Sequence, residues 1–437
     1  MHSFYEFFAG GGMAREGLAR SGKWECLFAN DFDAKKAASY KSNLPDDEGD
    51  TMVVADVAKL SVDEHLATGH ADLAWASFPC QDLSLAGSGA GLKGARSGTV
   101  HSFWNLIKEL REQQRAPRLV VLENVVGALT ANKGQDFVTL GNMLAESGYR
   151  FGAVVINAVH WVPQSRPRLF IIAAHRELQI DGLVSERPTR WHPVSLVAAH
   201  GRLLAGSEAT RKEDAWVWWN LPEPPSRRTK YQTLADVIEP DDPASVDWHD
   251  DAVTERLLSE ELMNAGNKKK VEDAKLRAKA TGDTVVGTIY KRMRPEGPFT
   301  GKKDKDGKPL REKVQRAEVR FDDIAGCLRT PGGGSSRQTI LVIDENGNRV
   351  RSRLLSTREA ARLMGLRDDY ILPDKYNDAY HLAGDGVVVD VVHFLAENVL
   401  EPLLEPPIST DIRRAGAKAT QSQLEIKYGD EKVPACV

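Results

Sequence analysis

The sequence predicts a doubly wound α/β fold, in which helices cover both faces of a largely parallel sheet. The first observation is that short apolar runs alternate with segments of helical period through the first part of the chain, which is typical of strand–helix–strand units. The second is that unusual polar clusters follow the ends of these apolar runs. In an open α/β sheet, ligands bind at the carboxyl ends of the strands.

The apolar runs and helical segments can be assigned in order along the chain. The predicted strands are residues 4–8, 25–29, 52–54, 73–77, 119–122, 153–156 and 169–173. The predicted helices are residues 13–20, 34–42, 100–113 and 137–146. The period is lost between about Glu177 and Gln315, and helical patterns return near Arg353, where Ser356 or Thr357 is placed to cap a helix. A last apolar helix is predicted over residues 387–404.

Length and composition exclude several classes of protein. A chain of 437 residues exceeds one ordinary domain, and with 41% hydrophobic and 27% charged residues we expect a soluble globular protein. We find no membrane span and no signal peptide, so we expect a cytoplasmic location. Cys26, Cys80, Cys327 and Cys436 form no CxxC pair and no zinc spacing, so neither a disulfide framework nor a metal is expected.

The polar clusters at the strand ends point to a single site. They are Ala9-Gly10-Gly11-Gly12, Asn30-Asp31, Asp56, Pro79-Cys80-Gln81 and Glu123-Asn124. The triple glycine opens a helix, where free amides and a bare backbone allow a ligand to approach closely, although a tight structural turn is the more common explanation of such glycines. Its order differs from the dinucleotide fingerprint, which favours a nucleoside cofactor without pyrophosphate. Asp31 follows at a spacing that suits ribose hydroxyls.

Cys80 and Glu123 are the candidates for chemistry at this edge. Cys80 is either a buried structural cysteine or a nucleophile activated by local positive charge or helix amides. Glu123 ends an apolar strand, so its carboxyl group is predicted to be desolvated and suited to act as an acid. The alternative for Glu123 is a structural ion pair with Arg166 or Arg168.

Six segments taken together resemble the successive motifs of the cytosine-5 DNA methyltransferases of bacterial or phage type. They are FFAGGGMAREGL, FPCQDLS around Cys80, ENV at Glu123, PQSRPRLF, LLSTREAARLMGL and AGDGVVVDVV. The resemblance covers residues 4–176 and 317–404. It implies a Rossmann-like S-adenosylmethionine-dependent methyltransferase fold with an inserted smaller target-recognition domain. The implied division is a catalytic and cofactor domain over 1–177, a recognition region over 178–316, a completing segment over 317–406 and a mobile tail over 407–437.

The resemblance also implies a mechanism. Cys80 attacks carbon 6 of a cytosine flipped out of duplex DNA, Glu123 protonates ring nitrogen 3, and Arg168 holds the ring's carbonyl oxygen. Arg166 steadies the site or a phosphate. Gln81 and Ser84 belong to the loop that closes over the DNA.

For S-adenosylmethionine, the resemblance assigns a set of pocket residues. They are Phe8, Ala9, Gly10, Gly12, Asp31, Asp56, Val57, Pro79 and Asp385. Asp31 binds the ribose, Asp56 the adenine amino group and Val57 the adenine ring. Asp31 replaces a typical Glu and Asp385 a typical Asn. We expect Asp385 to face the cofactor's carboxylate, so that Asp385→Asn tightens binding. If Asp385 faces the ammonium group instead, Asp385→Asn weakens binding, and if it points to solvent or to a nearby Arg, binding does not change.

The recognition region carries a basic excess. Residues 266–316 contain 16 Lys and Arg against 7 Asp and Glu, and we expect Lys268, Lys269 and Lys270 to contact phosphates of double-stranded DNA. A cytosine-5 tRNA methyltransferase and a catalytically silent DNA-binding regulator are the alternatives. The length of the basic region argues against the first, and the retained Cys80 and Glu123 against the second. We further expect a monomer with a cognate restriction endonuclease.

Overall fold

A seven-stranded sheet organises the computed structural model, which describes residues 1–44, 51–66, 69–79, 99–212, 214–228, 230–240, 246–304, 306–329 and 337–405. The strands are β1 His2–Phe7, β2 Trp24–Asp31, β3 Met52–Val54, β4 Leu73–Ala76, β5 Leu119–Val125, β6 Tyr149–Asn157 and β7 Pro167–His175. Their order across the sheet is β3-β2-β1-β4-β5-β7-β6. All seven predicted strands are present, within a few residues at their ends.

The sheet is parallel except at β7. Strand β7 pairs antiparallel with both β5 and β6, whereas β1 to β5 pair in parallel. Only residues 158–166 connect β6 to β7, and a parallel neighbour needs a crossover of a dozen residues or more. The short connection therefore makes this pair antiparallel, a detail that strand–helix alternation did not reveal.

Helices cover both faces of the sheet, which confirms the doubly wound α/β prediction. They are α1 Met13–Ala19, α2 Ala34–Asn43, α3 Val62–His65, α4 Thr99–Glu112 and α5 Gln135–Glu146. Phe4 lies in one buried cluster with Met13 of α1, whereas its neighbour Tyr5 lies in a second with Trp104 of α4. Successive residues of a strand point to opposite faces, so each face of the sheet has its own apolar core.

A second, antiparallel sheet is formed by strands that follow the large sheet in the chain. The intervening elements are β8 Val184–Ser185, α6 Val194–Gly206, α7 Glu208–Lys212, β9 Trp218–Trp219, α8 Asp251–Leu258, α9 Ala265–Thr281, β10 Val285–Arg294, β11 Phe299–Lys303, β12 Pro309–Arg311, β13 Val314–Arg320, β14 Thr339–Ile343 and β15 Val350–Leu354. Strands β13, β10, β14 and β15 form the sheet in that order. Its outer face packs Ile289 and Leu341 against Leu257 of α8 and Val271 of α9, and its inner face packs Val286 and Ile340 into the main core.

The first part of the segment after β7 packs on the large sheet, and the later part forms strands of the second sheet. Trp191, Trp219 and Leu234 lie in the core of the large sheet, although the sequence analysis placed them in the recognition region. Residue 316, the predicted end of that region, lies inside β13, which pairs with β10.

The C-terminal segment returns to the large sheet through four helices. They are α10 Thr357–Arg362, α11 Tyr376–Asp385, α12 Val389–Leu395 and, after a π-helical turn over Ala396–Leu400, α13 Glu401–Leu404. Ser356 caps α10 in a capping box with Glu359, which confirms the predicted helix start. Residues 406–437, with the predicted tail, lie outside the described residues. Within the described residues, no helix has the length and apolar character of a membrane span.

Candidate active site

The turn between β1 and α1 is shaped by glycine and leaves room beside it. Gly10 and Gly12 have φ of +57° and +77°, and Phe8 shares this left-handed backbone at +57°. A Cβ at Gly12 would lie 2.3 Å from Leu44 Cδ1, whereas a Cβ at Gly10 would meet nothing within 4 Å. Packing therefore requires glycine at position 12, while the space at position 10 is open to a ligand.

Asp31 ties the end of β2 to this turn. Its carboxylate accepts hydrogen bonds from the backbone N–H of Gly10 at 2.8 Å and of Asp33 at 2.8 Å. Burial raises the pKa of Asp31, although these two bonds and the charge of Lys36 oppose the shift. Phe32, which the sequence analysis missed, follows directly and is 71% exposed. The sequence does place an aromatic residue directly after the acidic residue that ends the strand, and this pattern could have identified Phe32.

The end of β3 lies beside the end of β2. The side-chain amide of Asn30 donates to the carbonyls of Val53 at 3.0 Å and Ala55 at 2.9 Å. Asp56 is exposed and accepts from the N–H of Ala58 at 3.0 Å, while Val57 is 4% exposed within the core. Asp31 and Asp56 thus stand on neighbouring strand ends.

Glu123 lies at the end of β5, opposite an arginine of β7. Arg168 Nε is 3.3 Å from Glu123 Oε1, and the Glu123 side chain is buried. Burial raises the pKa of Glu123 above its ordinary value, against the charges of Arg168 and Arg166. Asn124 donates to the carbonyl of Phe78 at 3.3 Å, so this cluster contacts the segment that leads into Cys80.

Arg166 is enclosed by backbone carbonyls. It donates from Nη2 to Gly384 at 2.7 Å and to Gly386 at 2.6 Å, and from Nη1 to Leu328 at 3.0 Å. Its side chain is 1% exposed. Such burial leaves no surface for a phosphate. The hydrogen bonds of Arg166 instead join three segments that are distant in the chain.

Cys327 is a second feature that the sequence analysis missed. Its sulfur lies 3.4 Å from Arg166 Nη1 and 3.8 Å from Arg168 Nη1. Cys327 follows β13, more than 150 residues after either arginine in the chain, and no spacing rule connects residues so far apart.

Asp385 ends α11 and forms an ion pair with α2. Its Oδ2 is 2.7 Å from Lys36 Nζ, and the two side chains are 46% and 16% exposed. Burial alone lowers the pKa of Lys36, but Asp385, Asp31 and Asp33 outweigh burial and raise it. A basic neighbour therefore balances the charge that Asp385 introduces.

The remaining predicted residues lie elsewhere or outside the described part of the chain. Pro79 is half-buried at the last described position before Cys80, and Cys80, Gln81 and Ser84 lie outside the described residues. Lys268 pairs with Glu260 at 3.2 Å and Lys270 donates to the carbonyl of Val319 at 3.4 Å. Both stand on α9, so the structure does not bring them to the strand-end site.

The sheet order and the strand-end site define an S-adenosylmethionine-dependent methyltransferase fold. Residues 2–401 match the family of C-5 cytosine-specific DNA methylases, and the chain belongs to this family. It is a DNA (cytosine-5)-methyltransferase that uses S-adenosylmethionine as methyl donor. Among the described residues, no group of three or more His, Cys, Asp and Glu side chains could hold a metal ion.

Relatives extend over most of the chain. The Type II methyltransferase M.HhaI of Haemophilus parahaemolyticus is 25% identical over 400 residues, covering 91% of this chain and 93% of its own. The Type II methyltransferase M1.ScrFI of Lactococcus lactis subsp. cremoris is 24% identical over 403 residues, covering 92% and 79%.

Solved structures share the fold at low sequence identity. Dnmt2 methyltransferase of S. pombe has a TM-score of 0.52 at 16% identity and covers 92% of this chain and 99% of its own. The Entamoeba histolytica methyltransferase EhMeth has a TM-score of 0.57 at 13% identity and covers 93% and 99%.

Proposed function

We propose that this enzyme methylates one specific duplex sequence as the modification partner of a Type II restriction endonuclease, acting as a monomer in the cytoplasm. The names of M.HhaI and M1.ScrFI support this proposal. The single observation that carries the chemistry is the buried Glu123–Arg168 pair, which adjoins the segment before Cys80.

Methylation sequencing of DNA from cells that express the enzyme tests the proposal. We expect methylated cytosine at one short sequence throughout the genome, and no such pattern in cells that express Cys80→Ala. Modified cytosine confined to tRNA would favour the tRNA methyltransferase, and full DNA binding without modification would favour the silent regulator.

The contacts around Glu123 support the roles proposed for Glu123 and Arg168. The Cys80 thiolate adds to carbon 6 of cytosine, and Glu123 gives a proton to ring nitrogen 3. Burial raises the pKa of the Glu123 carboxyl group, so it holds this proton to a higher pH than an ordinary glutamate does. Arg168 orients Glu123 and binds the carbonyl oxygen of the ring. Of the two roles predicted for Arg166, its enclosure favours steadying the site over binding a phosphate.

The strand-end residues fit S-adenosylmethionine. Gly10 faces open space, Asp31 and Asp56 present carboxylates for hydroxyl and amino groups, and the exposed ring of Phe32 offers a flat apolar surface to adenine. When bound, S-adenosylmethionine supplies the methyl group for carbon 5. Phe8, Ala9, Gly12, Val57 and Pro79 shape or support the same edge.

We expect Asp385→Asn to change S-adenosylmethionine affinity by less than about fivefold, because a half-exposed ion pair contributes roughly 0–1 kcal/mol. Lys36→Met should weaken binding more, since it leaves Asp385 and Asp31 without their shared cation near the cofactor site. Calorimetric titration of both variants and of the double variant measures this coupling.

The double variant is the control. If Lys36 acts by neutralising Asp385, Lys36→Met with Asp385→Asn should recover part of the affinity that Lys36→Met loses. Independent, additive effects would show that the pair plays no part in cofactor binding. A large gain from Asp385→Asn alone would restore the original expectation of repulsion between two carboxylates.

We propose that the recognition unit is built from α8, α9 and the sheet of β13, β10, β14 and β15, because these elements share a separate apolar cluster on the outer face of that sheet. The segment from 178 to 240 instead supports the catalytic sheet through Trp191, Trp219 and Leu234.

A basic ribbon projects from this unit and is the proposed DNA contact. It consists of the part of the β10–β13 pair that extends past β14, from Tyr290↔Glu318 to Arg294↔Val314, and the β11–β12 hairpin beyond it. Every residue of β11 and β12 is exposed. Lys302, Lys303 and Lys308 form no ion pair within the described residues. A two-stranded ribbon fits the DNA major groove, and its charge suits the phosphates.

Replacing Lys302, Lys303 and Lys308 by Ala should weaken DNA binding on all sequences alike. Each lost phosphate contact should reduce the slope of log affinity against log salt by about 0.9. Fluorescence anisotropy over a salt series measures this slope.

The matched control is the triple Ala replacement of Lys268, Lys269 and Lys270, which the sequence analysis favoured. Two of these side chains already have protein partners, so we expect the control to reduce the slope less. A larger loss in the control would move the phosphate contacts from the basic ribbon to α9.

A further inference from the structure

We propose that Cys327 is a positioning residue of the active site, whose thiolate lies between the guanidinium groups of Arg166 and Arg168 and, through Arg168, favours the protonated form of Glu123. The inference rests on the proposed role of Glu123 as the acid. It adds a second sulfur to the catalytic centre, at a distance of 3.4 Å from Arg166 and 3.8 Å from Arg168.

The backbone around Cys327 is fixed against the segment that carries the arginines. Ala325 accepts from the N–H of Ser165 at 2.9 Å and donates to the carbonyl of Pro163 at 2.8 Å. The buried side chain of Gln164 accepts from the N–H of Leu328 at 3.1 Å. Bonds on both sides of Cys327 therefore hold its sulfur at the two guanidinium groups.

The sulfur of Cys327 lies where an anion stabilises two cations. Arg168 forms an ion pair with Glu123, and the side chains of Arg166 and Arg168 are largely buried. Asp385, which also acts on Arg166, is already paired with Lys36. Buried cations are costly, and a thiolate at Cys327 adds negative charge beside both guanidinium groups and so lowers the cost of their burial.

The ionisation of Cys327 agrees with this placement. Burial alone raises the pKa of its thiol, but Arg166, Arg168 and Arg329 outweigh burial and lower the pKa below its ordinary value. Tyr380 also faces the sulfur, and burial raises its pKa to about 12, so its phenol stays neutral. The thiolate is therefore the form that the surrounding charges favour.

The effect on Glu123 has a definite sign. Positive charge near a carboxyl group lowers its pKa, and a nearby anion raises it. The thiolate offsets the two arginines, so Glu123 keeps its proton to a higher pH than it would beside the arginines alone. Loss of the thiolate should therefore lower the pKa of Glu123, and the rate should begin to fall at a lower pH.

Cys327→Asp and Cys327→Asn form a matched pair, because the two side chains have nearly the same size and differ in charge. We expect the alkaline limb of the single-turnover pH–rate profile to move about one pH unit lower in Cys327→Asn and to return towards the wild-type position in Cys327→Asp. Affinity for S-adenosylmethionine should stay unchanged in both. Identical profiles in the two variants would overturn the proposal, since a purely structural role cannot distinguish the charge.

A measurement on the thiol itself separates this proposal from the role of Glu123. In the full-length Cys80→Ala protein, the rate of Cys327 alkylation by iodoacetamide, followed by peptide mass mapping, should reach its plateau below the pKa of about 8.5 of an ordinary cysteine. A plateau only at or above that pH would overturn the role of Cys327 and leave Glu123 untouched. Full activity of Glu123→Gln would instead overturn the acid on which the inference rests.

Discussion

Cys80→Ala should abolish methyl transfer while the protein still binds DNA. Carbon 5 of cytosine is a poor nucleophile until a thiolate adds to carbon 6, and alanine has no group that can form this bond. DNA affinity should persist because phosphate contacts supply most non-specific binding. Single-turnover transfer of a labelled methyl group, with a binding isotherm on the same duplex, measures both quantities.

A duplex containing 5-fluorocytosine makes the test specific to the nucleophile. Fluorine cannot leave carbon 5 as a proton does, so the wild-type enzyme should remain covalently attached to the DNA when S-adenosylmethionine is present. Cys436→Ala is the matched control, because Cys436 lies beyond the residues that match the family and should leave the adduct intact. An adduct that survives in Cys80→Ala would assign the covalent bond to another residue.

The sequence predicted the fold where local pattern and packing agree. Phe4 and Tyr5 alternate between the two faces of one strand, and Ser356, one of the two predicted caps, begins a helix whose third residue is Glu359. Glu123 was predicted to be desolvated because it ends an apolar strand, and burial does raise its pKa. These features depend on neighbours within a few residues, which a single sequence displays directly.

The features that the sequence could not predict join residues far apart in the chain. Cys327 meets Arg166 across 161 positions, and Lys36 meets Asp385 across 349. Trp191 and Trp219 lie in a stretch of the sequence without helical or strand period, and in the structure they share a buried cluster with the large sheet. The antiparallel β7 likewise follows from a short connection whose importance depends on which strands are neighbours.

Glu123→Gln should lower turnover by at least about 100-fold, the scale of general acid catalysis. Glutamine keeps the size of the side chain and its contact with Arg168 but has no acidic proton for ring nitrogen 3. Since Glu123 lies apart from the Gly10–Asp31 turn, S-adenosylmethionine affinity should barely change. Single-turnover kinetics and calorimetric titration separate the two effects.

The pH dependence distinguishes a lost acid from a damaged site. In the wild-type enzyme, the rate should fall as pH rises through the raised pKa of Glu123, because the carboxyl group loses the proton that it donates. Glu123→Gln should lose this limb, whereas Glu405→Gln, which alters an exposed pair with Lys23, should retain it at the normal rate. Near-normal turnover of Glu123→Gln, with its alkaline limb intact, would assign the proton to another donor and leave Arg168 as the group that polarises the ring.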